Sequence, residues 1–360
     1  MPTDSPALPD CLLLYCRAGF EKECASEILD RTGALGVSGY VKARPDSGFV
    51  VFVPNEATVL AGAGRRLCFR DFIFARQMLF AVGPVSGLPP DDRVAPLLEQ
   101  ARRLSGRYSD CVLEMADTNE AKELSVFTRK FAGPFTLALE AAGLMGRTDG
   151  PRLHLFFLSS AEAYVGYSVP GNSSPWAMGI PRLRFPAGAP SRSTLKLEEA
   201  FLVFVDDPEM ALQPAMTAVD LGAAPGGWTW QLVKRHIRTI AVDNCDLDRA
   251  LLDSGLVEHL RVDGFRYRPP KPVDWLVCDM VEQPVRIAAL IGEWVAAGLC
   301  RRAIFNLKLP MKKRYEEVQR CRDLILERAG QSGKPVRLDF RQLYHDRAEI
   351  TGYISFPGRG

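Results

Sequence analysis

A glycine-rich turn is the segment of this sequence best suited to bind a nucleoside-like ligand. An apolar stretch at residues 218–221 runs directly into the turn, and a helical pattern follows it. Glycines allow a ligand to lie against the backbone, and the first N–H groups of a helix have no partner within the helix. We therefore expect the ligand to contact the turn at Gly222, Ala224, Pro225, Gly226, Gly227 and Trp228.

Three aspartates can supply polar partners for the same ligand. Asp243 ends the next predicted strand, about 20 residues after the turn, where a carboxylate can accept both ribose hydroxyls of a nucleoside. Asp263 ends the third predicted strand and can accept from an adenine amine, and Asp279 ends the fourth. Ligands bind at the carboxyl edge of open α/β sheets, so we expect the three aspartates to share one site.

The spacing within the turn separates two classes of nucleotide cofactor. A dinucleotide site uses Gly-x-Gly-x-x-Gly to approach a pyrophosphate, whereas this turn reads Gly-Ala-Ala-Pro-Gly-Gly. A ligand with an adenosine, a positive centre and no phosphate suits the aspartates better. We therefore predict S-adenosyl-L-methionine as the cofactor, and a Rossmann-like nucleotide-dependent oxidoreductase is the alternative.

The elements that must position these residues lie in the C-terminal half of the chain. Apolar strand patterns at residues 218–221, 239–242, 260–262, 274–278 and 303–307 are separated by helical patterns. Regular alternation of this kind predicts an α/β domain over residues 190–360, built on a Rossmann-like, doubly wound parallel sheet.

The N-terminal half has a different organisation. Residues 1–85 show a βαββαβ order, which predicts an α+β, ferredoxin-like unit. Residues 86–172 form a second predicted unit, in which a helix over 118–145 is expected to break at Gly133 and Pro134. Residues 173–189 are rich in proline, glycine and serine and are predicted to be a linker.

The composition is typical of a soluble globular protein. The chain has 360 residues, of which 47% are hydrophobic and 24% charged, and its formal net charge is +2. No apolar stretch approaches the roughly 20 residues of a membrane span, and the N-terminus lacks the basic segment of a signal peptide. We expect a cytoplasmic monomer without membrane contact.

A metal site is not expected. The nine cysteines include no Cys-x-x-Cys pair, and the four histidines are scattered along the chain. Zinc sites need close pairs of such ligands, so the cysteines are interpreted as reduced thiols of a cytosolic protein.

The segment from Asp220 to Trp228 resembles the cofactor motif of FtsJ-type ribose 2′-O-methyltransferases. That family carries a Lys-Asp-Lys-Glu catalytic tetrad, and each member has a matching position here. The resemblance identifies these positions as Lys196, Asp279, Lys308 and Glu349.

The resemblance implies a base-assisted methyl transfer to a ribose 2′-hydroxyl. Lys308 would be the general base, which requires its neutral form, and we expect Lys196 and burial to lower its pKa to about 7.5. Glu349 would orient a lysine or the ribose, and Asp279 would hold the methyl end of the cofactor. Ser191, near the first lysine, is a further expected cofactor contact.

The N-terminal half narrows the resemblance to THUMP-containing bacterial enzymes that methylate a cytidine ribose in 23S rRNA. It implies a THUMP-like, RNA-binding unit over residues 86–172 and a 23S rRNA or large-subunit precursor as the partner. Lys312, Lys313 and Arg314 follow the second catalytic lysine and could hold phosphates. Tyr344 and His345 could stack a base.

Two other methylation chemistries fit the sequence less well. Methylation of a base amino group typically uses a Pro-Pro-aromatic platform after the fourth strand, and Asp279 is followed by no such sequence. Carbon-5 methylation needs a nucleophilic cysteine, and Cys278 should point to the other side of its strand. A catalytically inactive RNA-binding protein with a transferase fold remains the second alternative.

Overall fold

The computed structural model of the protein describes residues 8–63, 66–104 and 107–356. The chain forms two compact units, Met1–Ile180 and Pro181–Gly360. The prediction that no signal peptide is present rests partly on residues 1–4, which lie outside the described residues. Within the described residues, no helix combines the length and apolar character needed to cross a membrane.

The N-terminal unit contains seven strands and four α-helices among its described residues. They are β1 (Cys11–Tyr15), α1 (Glu21–Ala34), β2 (Gly39–Ala43), β3 (Phe49–Pro54), α2 (Thr58–Ala63), β4 (Gln77–Ser86), α3 (Val94–Leu104), β5 (Asp110–Met115), α4 (Leu124–Ala141), β6 (Arg152–Ser159) and β7 (Glu162–Ser168).

One sheet extends through this unit, in the order β2-β3-β1-β4-β7-β6-β5. The first four strands pair antiparallel, which confirms the ferredoxin-like arrangement. Strand β4 continues across the predicted boundary at residues 85 and 86 and pairs with β7 on its other side. The two predicted N-terminal units therefore share a sheet, and their division into separate domains stays a prediction.

The predicted break in the long helix is wrong. Helix α4 continues through Pro134, because its aromatic side chains pack at one-turn intervals. The ring centroids of Phe127 and Phe131 are 5.5 Å apart, and those of Phe131 and Phe135 are 5.8 Å apart. Burial of these rings offsets the roughly 3 kcal/mol that an internal proline costs a helix.

The first part of the predicted linker packs on the N-terminal unit. The Ser174 N–H donates to Gln77 Oε1 at 3.1 Å, and the Gln77 amide donates to the Ser174 carbonyl at 3.1 Å. Further along, the Met178 N–H donates to Glu114 at 2.5 Å. The compact unit accordingly ends at Ile180, inside the predicted linker.

The C-terminal unit alternates strands and helices as the sequence predicts. Its elements are α5 (Thr194–Phe204), α6 (Pro208–Ala211), β8 (Thr217–Leu221), α7 (Gly227–Val233), β9 (Arg238–Val242), α8 (Arg249–Asp253), β10 (Val257–Leu260), β11 (Val273–Cys278), α9 (Pro284–Ala296), β12 (Cys300–Lys308), α10 (Arg314–Gly330), β13 (Arg337–Arg341) and β14 (Glu349–Ser355).

These strands form a sheet in the order β10-β9-β8-β11-β12-β14-β13. The first five run parallel, and β14 lies antiparallel between β12 and β13. The topology confirms the Rossmann-like prediction. The predicted strand at residues 260–262 is corrected, because β10 ends at Leu260. Asp263 therefore lies three residues beyond the strand and does not end it.

Aromatic side chains anchor helix α5 to this sheet. Phe201 of α5 meets Trp275 of β11 with ring centroids 5.6 Å apart, and Phe204 stacks on Tyr353 of β14 at 5.7 Å. The indole N–H of Trp275 donates to the Ala211 carbonyl at 3.0 Å. This packing fixes the helix that carries Lys196.

Candidate active site

Four separate elements bring the residues of the predicted tetrad to one edge of the C-terminal sheet. Lys196 lies in the first turn of α5, Asp279 directly follows β11, Lys308 ends β12 and Glu349 begins β14. Lys308 and Glu349 are direct cross-strand partners. Four positions that are far apart in the sequence thus meet in the fold.

The two lysines and two carboxylates make an alternating cluster of charges. Lys308 Nζ is 2.8 Å from Asp279 Oδ1, and Lys196 Nζ is 3.6 Å from Asp279 Oδ2. Each ammonium also contacts its own oxygen of Glu349. All four side chains are at most 26% exposed. The partly buried cluster is balanced in formal charge, which limits the cost of removing these groups from water.

The structure corrects the expected direction of the Lys308 pKa. Burial lowers the pKa of this ammonium, but the negative charges of Asp279 and Glu349, and the hydrogen bonds to them, raise it by more. The net pKa is therefore above the ordinary lysine value. The expected like-charge effect of Lys196 is outweighed because both carboxylates contact Lys308 directly.

The glycine turn is shaped by close neighbours at two positions. Gly226 has φ +117°, and a Cβ there would overlap Leu251. At Gly227 a Cβ would overlap the hydroxyls of Ser191 and Ser193. The first turn of α7 therefore lies so close to the loop before α5 that only glycine fits at this position.

The sequence-predicted residues around this turn fall into different environments. Ser191 Oγ is 2.6 Å from Ser193 Oγ, beside Gly227. Trp228 is buried in the core, and its indole N–H donates to the Ser193 carbonyl at 3.1 Å. Trp228 thus supports the serine loop from within the fold, and direct cofactor contacts of Ser191 and Trp228 stay predictions.

Asp243 and Asp263 differ in how they are held. Asp243 accepts from the N–H of Ala224 at 3.0 Å, which joins the end of β9 to the glycine turn, and from the N–H of Cys245 at 2.8 Å. Asp263 is more exposed, and accepts from the Phe265 N–H at 2.9 Å within its own turn. Their contacts with ribose and adenine stay predictions.

Asp220, at the start of the motif, was not assigned a role from sequence. It is fully buried, and one carboxylate oxygen accepts from Thr229 at 2.6 Å. Its other oxygen, Oδ1, has no hydrogen-bond partner among the described residues. Burial raises the pKa of Asp220 to about 7. The close-fitting glycines and this set of carboxylates fit a nucleoside ligand with a positive centre.

Three further polar residues behind the tetrad were also missed. Asn306 donates to Asp279 Oδ1 at 3.0 Å, and Thr351 lies 2.8 Å from Asn306 Oδ1. Asp346 lies 3.0 Å from the Thr351 hydroxyl. Two-residue periodicity puts Asn306 and Thr351 on the same strand faces as Lys308 and Glu349 and could have identified them. Asp346 lies in a loop and has no such signal.

The predicted RNA-binding residues follow strand β12 in the chain. Lys312 and Lys313 are exposed, and Arg314 begins α10. The Arg314 Nε–H donates to the Pro310 carbonyl at 3.2 Å, so this guanidinium also braces the loop. Contacts of these three residues with phosphates stay predictions.

Tyr344 and His345 are tied to helix α5. Their backbone N–H groups donate to Glu199 at 2.7 and 2.9 Å, and His345 Nδ1 lies 2.7 Å from the same carboxylate. The two rings form an edge contact with centroids 5.2 Å apart. Their first role in this fold is to fix the loop before β14, and base stacking stays a prediction.

Comparisons with known proteins cover nearly the whole chain. A family model described as the RlmM ferredoxin-like domain matches residues 10–79. The model for the N-terminal part of ribosomal RNA large subunit methyltransferase M matches residues 92–169. The FtsJ-like methyltransferase model matches residues 189–308.

Curated relatives match nearly the full length of this chain. The ribosomal RNA large subunit methyltransferase M of Methylococcus capsulatus is 65% identical over 347 residues, covering 96% of this chain and 98% of that protein. The protein of the same name from Cellvibrio japonicus is 53% identical, covering 95% and 98%. That from Thauera aminoaromatica is 49% identical, covering 96% and 95%.

Proposed function

The chain belongs to the ribosomal RNA large subunit methyltransferase M family, and from this premise we propose that Lys308 is the general base of its reaction. The protein is an S-adenosylmethionine-dependent enzyme that methylates a ribose 2′-hydroxyl of ribosomal RNA. The observation that supports our assignment of the site is the contact of two lysines with the same two carboxylates.

We assign the cofactor to the edge of the sheet formed by the glycine turn and the strand ends. The residues that would hold it are Ser191, Gly222, Ala224, Pro225, Gly226, Gly227, Trp228, Asp243, Asp263 and Asp279. S-adenosylmethionine supplies the methyl group on a positively charged sulfur, and that charge favours the neutral form of a nearby lysine.

The tetrad would divide the work of orientation and proton removal. Asp279 and Glu349 contact both ammonium groups and would hold Lys308 in a fixed position. Orientation of the reacting groups can supply several kcal/mol of the barrier. Because the pKa of Lys308 is raised, its proton must be lost before it can act as a base, and we expect the rate to rise with pH.

The finer identity of the substrate follows from family membership and is part of the proposal. We propose a cytidine of 23S rRNA, free or in a large-subunit precursor, as the target. Lys312, Lys313 and Arg314 would contact its phosphates, and the N-terminal unit would bind RNA in a THUMP-like way. A monomeric, cytoplasmic enzyme that uses no metal also stays a prediction.

The two alternatives account for fewer of the observations. A nucleotide-dependent oxidoreductase does not explain four interacting tetrad residues at the sheet edge. An inactive RNA-binding protein has no need to keep two lysines and two carboxylates together in a partly buried cluster, where each unpaired charge would be costly.

Mapping of 2′-O-methyl marks tests the substrate. Ribosomal RNA from cells with and without this gene is compared by mass spectrometry, and loss of one cytidine mark is the expected result.

In single turnover, Lys308→Met should lower the methylation rate by about 100-fold or more, while Lys271→Met, at an exposed site, should not. Full activity of Lys308→Met with normal cofactor binding would refute the assigned base.

A further inference from the structure

A line of buried side chains runs from Asp346 to the catalytic aspartate. Asp346, Thr351 and Asn306 are each 0% exposed. The Thr351 hydroxyl oxygen is 3.0 Å from Asp346 Oδ2 and 2.8 Å from Asn306 Oδ1. The amide nitrogen of Asn306 is 3.0 Å from Asp279 Oδ1. Four polar groups therefore form a continuous hydrogen-bonded chain.

The direction of the hydrogen bonds in this chain can be derived by counting protons. Asp279 contacts two ammonium groups as a carboxylate, so Asn306 must present its NH₂ group to it. The carbonyl oxygen of Asn306 then faces Thr351, which must donate its single proton there. The threonine oxygen can only accept from Asp346, so Asp346 must carry a proton. Oδ2 accepts from the Leu343 N–H, which leaves Oδ1, 3.3 Å from the Thr351 hydroxyl, to carry it.

The reverse direction is unfavourable. If Asp346 were ionised, Thr351 would donate to it, and Asn306 would turn its NH₂ group towards Thr351. The amide oxygen would then face the carboxylate of Asp279 at 3.0 Å. Two acceptors at that distance in a buried site would repel each other.

The charges around Asp346 favour the same protonation state. Burial is the largest cause that raises its pKa well above the ordinary value, and the carboxylates of Glu349 on β14 and Glu199 on α5 add to it. Lys196 opposes this effect, as does the N–H of Leu343, which donates to Asp346 at 3.0 Å.

We propose that Asp346 is a protonated carboxylic acid at neutral pH and acts as a positioning residue for the methyl transfer. Through Thr351 it fixes the orientation of the Asn306 amide, which in turn holds Asp279 in line with Lys308. Asp346 itself need not contact cofactor or RNA. The proposal rests on the assigned tetrad and adds a buried proton donor behind it.

Infrared spectroscopy of the full chain tests the protonation state without any activity measurement. A carboxylic acid and a carboxylate have separate C–O stretching bands. We expect an acid band at neutral pH that is absent from Asp346→Asn. Asp220, whose pKa is raised to about 7, gives the other candidate band, and Asp220→Asn assigns it even if Asp346→Asn does not fold.

Three variants, at Asp346 and Thr351, test the positioning role. In Asp346→Asn the amide oxygen can replace Oδ2 and accept from Leu343, while the NH₂ group replaces Oδ1, 3.3 Å from the Thr351 hydroxyl, and donates to it. This variant should therefore keep kcat within about threefold. Thr351→Val removes the hydroxyl and should lower kcat by about tenfold or more. The KM for RNA and cofactor affinity should not change, and Thr351→Ser should restore kcat.

The outcomes are separable. An acid band assigned to Asp346, with active Asp346→Asn and impaired Thr351→Val, supports the proposal. Absence of that band, or an Asp346→Asn enzyme as impaired as Thr351→Val, overturns it. If the band is present but the unaltered protein methylates no RNA, the hydrogen-bond chain stands and the proposed function fails.

Discussion

Replacement of Glu199 by glutamine should destabilise the C-terminal unit far more than the same replacement at its neighbour Glu198. Glu199 is buried on α5 and accepts three hydrogen bonds from Tyr344 and His345. Glu198 is one residue away but partly exposed, and it pairs with Arg235 at 2.7 Å. The two isosteric changes therefore differ mainly in burial and in the number of bonds lost.

The magnitude follows from the hydrogen bonds of each carboxylate. A hydrogen bond to a charged group contributes about 1.5–3 kcal/mol, and leaving a buried donor unsatisfied costs a similar amount. Glutamine keeps one acceptor but turns an NH₂ group towards backbone donors, so Glu199→Gln should lower the free energy of unfolding by about 3 kcal/mol. Loss of the Glu198 surface pair should cost about 0.2–1 kcal/mol.

Urea unfolding followed by tryptophan fluorescence measures this difference. Of the five tryptophans, Trp228, Trp230, Trp275 and Trp294 lie in the C-terminal unit. With a slope of about 2 kcal/mol per M urea, Glu199→Gln should move the midpoint down by about 1.5 M. Midpoints of the two variants within about 0.5 M of each other would refute the anchoring role of Glu199.

Three further predictions concern the site itself. In Glu349→Gln, loss of a negative neighbour should lower the pKa of Lys308, so the rise of the single-turnover rate with pH should move to lower pH. Gly227→Ala should weaken S-adenosylmethionine binding by about tenfold in calorimetry, since overpacking costs about 1–3 kcal/mol. A double Lys312→Ala, Lys313→Ala variant should bind RNA more weakly, with the salt slope of log affinity reduced by about 2.

Matched variants control each of these measurements. Glu327→Gln changes an exposed carboxylate on α10 and should leave the pH profile in place. Gly330→Ala adds a Cβ that meets nothing within 4 Å, so cofactor affinity should stay normal. Lys271→Ala should leave the salt slope of RNA binding unchanged. An unmoved pH profile in Glu349→Gln would contradict the assigned base. Equal cofactor affinities of Gly227→Ala and Gly330→Ala would contradict the proposed cofactor site. Equal salt slopes of the Lys312/Lys313 and Lys271 variants would contradict the proposed phosphate contacts.

The main features of the C-terminal unit could be predicted from sequence because local signals determine them. Buried strands alternate with helices, and the turn at Gly222 marks the first crossover. The tetrad positions came from resemblance to a family, and the fold brings them together. The local sequence pattern was therefore enough to predict the alternation of strands and helices in this unit.

Features that depend on tertiary contacts could not be predicted in the same way. The pKa of Lys308 was expected to fall, because the sequence does not show that Asp279 and Glu349 both touch its Nζ. The proposed role of Asp346 depends on the pairing of β12 with β14, which no local pattern gives. Pro134 was expected to break a helix that aromatic packing maintains.

The position of β14 between β12 and β13 has a consequence for the order of events during synthesis. Glu349 is the last member of the tetrad to be translated, and it joins the others only when β14 enters the gap beside β12. A nascent chain can thus have its glycine turn and Asp279 in place while Glu349 is still missing, together with Tyr353, which packs on the helix that carries Lys196. Catalytic competence should therefore arise late, when the final strand closes the sheet.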